Sequence, residues 1–189
     1  MRFNEHSELA GKHAVLSPSY GHWLNYDDQK LFARMNSMRA AQEGTDLHLF
    51  AQEAIRLRVR LDPNDRFALA AYVDDAIDLG LATEVPLFYS PWSFGHADAL
   101  GFDEPSMTLR TSDLKNGVGP TKFTQLEIYN GLFCLEYDFD PYTITFINRI
   151  YQGEEVREEL PSPDRIAHIM DRIVELDERI NVLREEASW

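Results

Sequence analysis

Cysteine is nearly absent: Cys134 is the only one in 189 residues. A single thiol excludes an intrachain disulfide, a four-cysteine zinc site and a cysteine-ligated iron–sulfur cluster, and leaves Cys134 as a small buried apolar residue. Basic residues are scarce as well. Lys and Arg total 18 against 32 Asp and Glu, a formal net charge of −14, so the chain lacks the broad basic surface with which proteins commonly neutralise polyanions. Part of the acidic excess lies in Glu154-Glu155, Glu158-Glu159 and between Glu175 and Glu186, where a solvated face is expected. No uncharged apolar stretch reaches the roughly 20 residues of a membrane span. Met1-Arg2-Phe3-Asn4-Glu5 has no apolar secretion region behind it, so a soluble, cytoplasmic protein with no membrane partner is expected. Repeats, low-complexity tracts and Gly/Ser-rich linkers are missing too. With 44% hydrophobic and 12% aromatic residues, the chain is expected to form one compact domain over 1–189.

What is present is a particular order of periodicities. Residues from Asp27 to about Arg60 follow a helical pattern, expected in two pieces broken near Gly44 and stopped by Pro63. A second helix is predicted over about 64–80, with Phe67, Ala71, Ala76 and Leu79 on its apolar face and Gly80 as its stop. The helical part thus spans about 27–82. Val85 to Tyr89, Phe94 to Phe102 and Met107 to Lys115 then read as strands, the last two joined by the turn Asp103-Glu104-Pro105-Ser106. After the loop at Gly117, Gly119 and Pro120, Lys122 to about Tyr137 is helical, with Phe123, Leu126, Leu132 and Phe133 buried. Tyr142 to Tyr151 is β-branched and aromatic, and Val156 to Leu160 is expected to pair with it across Gly153. Ser162-Pro163-Asp164 opens an amphipathic helix over about 162–187, with Ile166, Ile169, Ile173, Leu176, Ile180 and Leu183 on one stripe. That stripe suits packing within the domain or a helical dimer contact. The sum is an α/β (α+β) fold with a mixed central sheet of about five strands flanked by helices.

The chemistry follows from the strand period of two. Positions 94, 96 and 98 share a face, as do Asp113 and Lys115, so a hairpin brings Asp98 beside Asp113 and Lys115. Two carboxylates at strand ends supply hard oxygen ligands for Mg²⁺ or Mn²⁺, and the Leu114 carbonyl adds another. Such an ion polarises a phosphodiester and activates water, while Lys115 holds that water or offsets charge on the phosphoryl oxygens. Bound divalent ions also reverse the sign of a local acidic cluster. His48 shares a helical face with Ala51, Gln52 and Ile55, which points it inward, where an imidazole beside carboxylates tolerates Mn²⁺. Gln125 and Tyr129, four apart, lie on one face of the helix after the Asp-x-Lys strand.

The ordered set Gly44-x-x-x-His48, Gly95-x-x-Asp98, Asp113-x-Lys115 and Gln125-x-x-x-Tyr129 resembles the RecB-like branch of the PD-(D/E)XK nucleases. The resemblance spans roughly residues 12–150, and His13-Ala14-Val15-Leu16-Ser17-Pro18-Ser19 with Trp23-Leu24 resembles phage-encoded members. It implies a restriction-endonuclease-like core, metal ligation by His48, Asp98, Asp113 and the Leu114 carbonyl, and a catalytic Lys115. It further implies that Gln125 and Tyr129 support the site or contact the DNA backbone. The expected activity is Mg²⁺- or Mn²⁺-dependent hydrolysis at single- or double-stranded DNA ends, an exonuclease of phage recombination, repair or replication acting in the host cytoplasm. A homo-oligomer or a recombination partner would supply the track that so acidic a chain lacks. The cysteines that hold an iron–sulfur cluster in some relatives are missing, so no cluster is carried over, and His96 stands where a small or hydroxyl residue is expected.

Two other readings compete. His96-Ala97-Asp98 with His168 has the composition of a non-haem iron facial triad, although His168 falls on the final helix rather than on a barrel strand. A catalytically silent nuclease-like module for partner binding or regulation would also suit the charge and the acidic last helix.

Overall fold

The alternating segments form strands in the computed structural model, which describes residues 24–64 and 67–186. Strands β1 (Ala82–Ser90), β2 (Ser93–Asp103) and β3 (Thr108–Lys115) run antiparallel to one another, β4 (Thr145–Gln152) lies parallel to β3, and β5 (Glu155–Glu159) closes the other edge antiparallel to β4. The spatial order is β1-β2-β3-β4-β5. The expected mixed five-stranded sheet flanked by helices is therefore the fold. The segment His13 to Ser19, with Trp23, falls outside the described residues, as do Asp65, Arg66 and the last three positions.

Helices follow the sequence with two corrections. Helix α1 (Asp28–Leu57) is continuous through Gly44. Glycine in a helix interior costs only about 1 kcal/mol relative to alanine and keeps its N–H donor, so the ladder of hydrogen bonds survives it. The stop is not Pro63 either: Arg58 adopts a left-handed φ of 56° and Val59 N donates to the Ala54 carbonyl at 2.8 Å, which closes the last turn five residues earlier. Internal contacts divide the chain between Thr45 and Asp46, and the sheet belongs to the second unit, Asp46–Trp189. Helix α2 (Phe67–Leu79) ends as predicted at Gly80, whose φ is +65°.

Within the second unit the sheet is covered on both faces. On one, Leu47, Ala51 and Ala54 of α1 and Leu69, Tyr72, Val73 and Ile77 of α2 pack on Ala99, Leu114 and Tyr151. On the other, helix α3 (Thr124–Tyr137) crosses over between the parallel strands β3 and β4, and Leu132 and Phe133 meet Leu87, Leu100, Leu109 and Phe146. Each such large apolar side chain contributes roughly 1.5–3 kcal/mol by leaving water. A buried polar chain fixes the seat of α3: Thr111 Oγ1 donates to Asn130 Oδ1 at 2.7 Å, and Asn130 Nδ2 to Asn148 Oδ1 at 2.9 Å. Three elements are thereby tied by side chains that would be costly to leave unpaired.

The segment before β4 differs from expectation. Asp140 accepts from Tyr142 N at 2.9 Å and starts a short 3₁₀ turn, Pro141–Thr143, so the strand begins at Thr145 rather than Tyr142. Helix α4 (Pro163–Glu186) starts at Ser162, whose hydroxyl accepts from Arg165 N at 3.3 Å. Its stripe is used in halves. Ile166 and Ile169 are buried, with Ile169 close against Gly131 of α3, whereas Leu176 and Leu183 are exposed. Beyond them Arg184 stacks over Trp92 at 4.8 Å and Trp92 Nε1 donates to Asn181. Among the described residues no helix is long and apolar enough to cross a membrane.

Candidate metal centre

The site lies where β2 and β3 part. Their pairing runs from Asp103–Thr108 to Ala99–Ser112, a register that carries Asp98 opposite Asp113. Past Ala99 the ladder ends, and Asp98 Oδ2 accepts the N–H of Leu114 at 3.0 Å. Strict alternation would place Ala97 and Ala99 on one face. Instead Ala97 joins the core beneath α3 and Ala99 the core beneath α1 and α2, so β2 turns over at Asp98. Gly95 and Ala97 face α3 while Asp98 faces His48 of α1, in keeping with the expectation that residues 94, 96 and 98 share a face; the alternation breaks after Asp98, where Ala99 turns to the same side. Phe94 and His96 lie on the exposed stretch before the turnover, with His96 paired across to Pro86.

Asp113 is the most confined carboxylate of the group, 2% exposed. Its Oδ1 receives Lys115 Nζ at 2.8 Å, and its Oδ2 is buried with no hydrogen-bond partner. Lys115 Nζ also donates to Gln125 Oε1 at 3.1 Å, and Gln125 Nε2 donates to Tyr129 Oη at 3.3 Å. Tyr129 in turn lies against Gly95: a Cβ on that glycine would stand 2.9 Å from Tyr129 Cε1. The Gly95-x-x-Asp98 and Gln125-x-x-x-Tyr129 patterns thus acquire one physical meaning. Glycine makes room on β2 for the ring that braces the glutamine that holds the lysine.

From the other side His48 brings Nδ1 to 3.5 Å from Asp98 Oδ2. Leu114, expected to offer its carbonyl, is shown giving its N–H to Asp98. The sequence did not single out Glu84. One ligand atom each from His48, Glu84 and Asp98 lies within 4.8 Å of the other two. Glu84 has a left-handed φ of 51° and stands in β1 between the pairs Thr83–Ala99 and Val85–Ala97, level with the turnover in β2. A lone charge inside the strand Ala82-Thr83-Glu84-Val85-Pro86 was the available signal. Tyr72 was also missed. Burial raises its hydroxyl pKa, with the charges of Asp98, Glu84 and Asp113 adding to the effect.

Electrostatics agree with a cation position. Burial pushes the Asp98 carboxyl up to about 6, the charge of Asp113 adds to this, and His48, the Leu114 N–H and Lys115 oppose it. Three carboxylates, Glu84, Asp98 and Asp113, thus gather around one ammonium and one imidazole. An unpartnered, buried carboxylate oxygen beside such an excess suits Mg²⁺ or Mn²⁺, which take oxygen and tolerate imidazole. His96 and His168 do not join this group, so the alternative iron triad is not assembled among the described residues. A cavity of about 310 Å³, lined by Leu47, Phe67, Leu114, Lys115 and Gly153 among others, opens beside the end of β3.

Comparison with known proteins adds little to this geometry. No family model matches the chain, and no curated protein matches it. A solved structure described as the crystal structure of SSO0001 matches with a TM-score of 0.33 at 10% identity, covering 58% of this chain and 57% of that one. The chain therefore spans a little over half the length of that structure, and a likeness at this level carries no argument about fold or activity.

Proposed function

We propose that this protein hydrolyses phosphodiester bonds in DNA with Mg²⁺ or Mn²⁺, acting at single- or double-stranded ends as an exonuclease. The observation that carries the reading is Asp113: one oxygen is held by Lys115, and the other is buried, unpartnered and set opposite Asp98. His48, Asp98, Asp113 and the Leu114 carbonyl would hold the ion, which when bound polarises the phosphate and lowers the pKa of a water. Lys115 Nζ, fixed between Asp113 and Gln125, orients that water or offsets charge on the phosphoryl oxygens. Tyr129 and Gly95 position Gln125 for this purpose. The cavity beside Lys115 gives a nucleotide room to approach. Phage recombination, repair or replication in a host cytoplasm is the setting that suits the motif order, with a second subunit or recombination partner completing the DNA track.

The test incubates labelled linear single- and double-stranded DNA with wild type, Asp113→Ala and Lys115→Ala, each with Mn²⁺ or with EDTA. Wild type is expected to degrade the DNA only with metal, and both variants to be inactive. Equal degradation by all three, or none by wild type with any divalent metal, sinks the proposal. A second reading, a silent partner-binding module, is favoured by the exposed Leu176 and Leu183 on α4. A variant that loses metal but keeps a partner would support it.

A further inference from the structure

Both arms of the candidate centre lead into the same cavity. Leu47 precedes His48 on α1, and Leu114 and Lys115 follow Asp113 on β3. All three line the cavity of about 310 Å³, whose walls belong to the unit Asp46–Trp189. We propose that this cavity binds one unpaired nucleobase of the DNA end, so that the nucleotide beside the scissile phosphate enters the centre single-stranded. The proposal deepens the nuclease reading and rests on it for the identity of the polymer.

The walls select a flat, largely apolar group. Leu47 and Leu114 are buried, while Phe67, the first residue of α2, is 44% exposed where it lines the cavity. Among the described residues no other ring contacts Phe67. Its exposed surface is left for stacking, and a base stacks on an aromatic ring without any positive charge. That suits a chain of net charge −14. The size agrees as well. Small-molecule sites begin at roughly 300 Å³, which gives room for one base and its sugar and too little for a base pair with both strands.

The polar groups suit a base edge better than a phosphate. Lys115, the cation of the lining among the described residues, already donates to Asp113 and Gln125. Glu154 adds a carboxylate, so a phosphate inside would meet negative charge. Asn64 Nδ2 donates to Asp62 Oδ1 at 2.8 Å, which leaves Asn64 Oδ1 as an acceptor. Among the described residues nothing bonds the side-chain amide of Asn116. An open amide, an amide oxygen and a carboxylate match the ring nitrogens, carbonyls and exocyclic amines of a base. Pairing covers that edge, and an unpaired base presents it. The phosphate stays outside, at Lys115 and the metal position.

The experiment titrates the full chain, in EDTA, with the deoxynucleoside monophosphate of 2-aminopurine, a fluorescent base whose emission falls when it stacks. Wild type is expected to quench it saturably. Deoxyadenosine monophosphate should displace the probe, and deoxyribose phosphate, which has no base, should leave it bound. Phe67→Ala should weaken binding about fivefold or more, and Phe67→Trp should keep wild-type affinity. Asn116→Ala should weaken binding about threefold or more while quenching at saturation persists. Circular dichroism of each variant should stay native. No saturable quenching by wild type, unchanged affinity in Phe67→Ala, or displacement by deoxyribose phosphate overturns the proposal. EDTA takes catalysis out of the measurement, so the two readings part. Base binding without DNA hydrolysis under any divalent metal removes the nuclease reading and leaves the pocket, and hydrolysis without base binding does the reverse.

Discussion

Two charged clusters sit on the same sheet and solve opposite problems. In the first, Arg149 Nη1 and Tyr151 Oη both donate to Asp75 Oδ2, at 2.8 and 2.6 Å, and Arg149 Nε donates to Glu158 at 2.7 Å. Burial works against the charge on Arg149, yet its bonds to Glu158 and Tyr151 and the charge of Asp75 leave its pKa raised. Each of these carboxylates has a fixed donor. In the second, Glu84, Asp98 and Asp113 crowd together with Lys115 and His48, Asp113 Oδ2 has no partner, and the Asp98 carboxyl is pushed up by burial and by Asp113. The first cluster closes the fold; the second is left short of positive charge. Charge left over at a splayed strand end is what separates a site from a brace.

The largest effect that tests this contrast is catalytic. Asp113→Asn and Lys115→Ala should each reduce metal-dependent DNA hydrolysis by about 10²–10⁴-fold in a labelled-end assay while circular dichroism stays native. Loss of fold in both would break the comparison by making the second cluster structural too. Next, Arg149→Met leaves Asp75 and Glu158 without their cation, and because the pair is part-exposed it should cost about 1–2 kcal/mol in urea unfolding. Activity should change little.

Asp98 sharpens the contrast through pH. Its carboxyl titrates near 6 in the folded protein and near 4 when unfolded, so the native state binds the proton more tightly. In EDTA, the Asp98 contribution to stability, read as wild type minus Asp98→Asn, should accordingly fall as pH rises from about 4 to about 6 and stay flat above, an effect of roughly 1–3 kcal/mol. Saturating Mn²⁺ should remove it. A difference between wild type and Asp98→Asn that rises over that window contradicts the crowding described here. The smallest effect belongs to Gly95→Ala. The added Cβ presses on Tyr129 and moves Gln125 off Lys115, which should slow hydrolysis roughly three- to tenfold, about 1 kcal/mol in the transition state, with Tm nearly unchanged.

How far the sequence reached depended on which signals are periodic. Asp98, Asp113, Lys115, Gln125 and Tyr129 were legible because a two-residue strand period and a four-residue helix spacing predict which side chains meet, and the structure brings them together. His48 followed from the apolar face of α1. The sheet, its hairpin and the crossover helix α3 were readable from alternation and turn residues. Gly44 was misread because glycine weakens a helix without removing a hydrogen bond, and Arg58 was invisible as a stop because an arginine at φ 56° leaves no mark in composition. Glu84 escaped for the same reason. Its position depends on a left-handed residue that reverses the alternation, and periodicity fails where the backbone departs from it. Tyr72 looked like any aromatic on a buried helical face.

Glu84 has one more consequence, for how the molecule behaves toward its copies. Among the described residues strand β1 is an edge of the sheet, and a straight, apolar edge offers free N–H and C=O groups on which another chain can polymerise. Here the edge carries a left-handed kink at Glu84, whose own carboxylate is exposed, and a proline without an N–H two residues later. The opposite edge, β5, is Glu155-Val156-Arg157-Glu158-Glu159, mostly charged. The irregularity that aims Glu84 toward the cluster therefore also blunts the sheet as a template for aggregation.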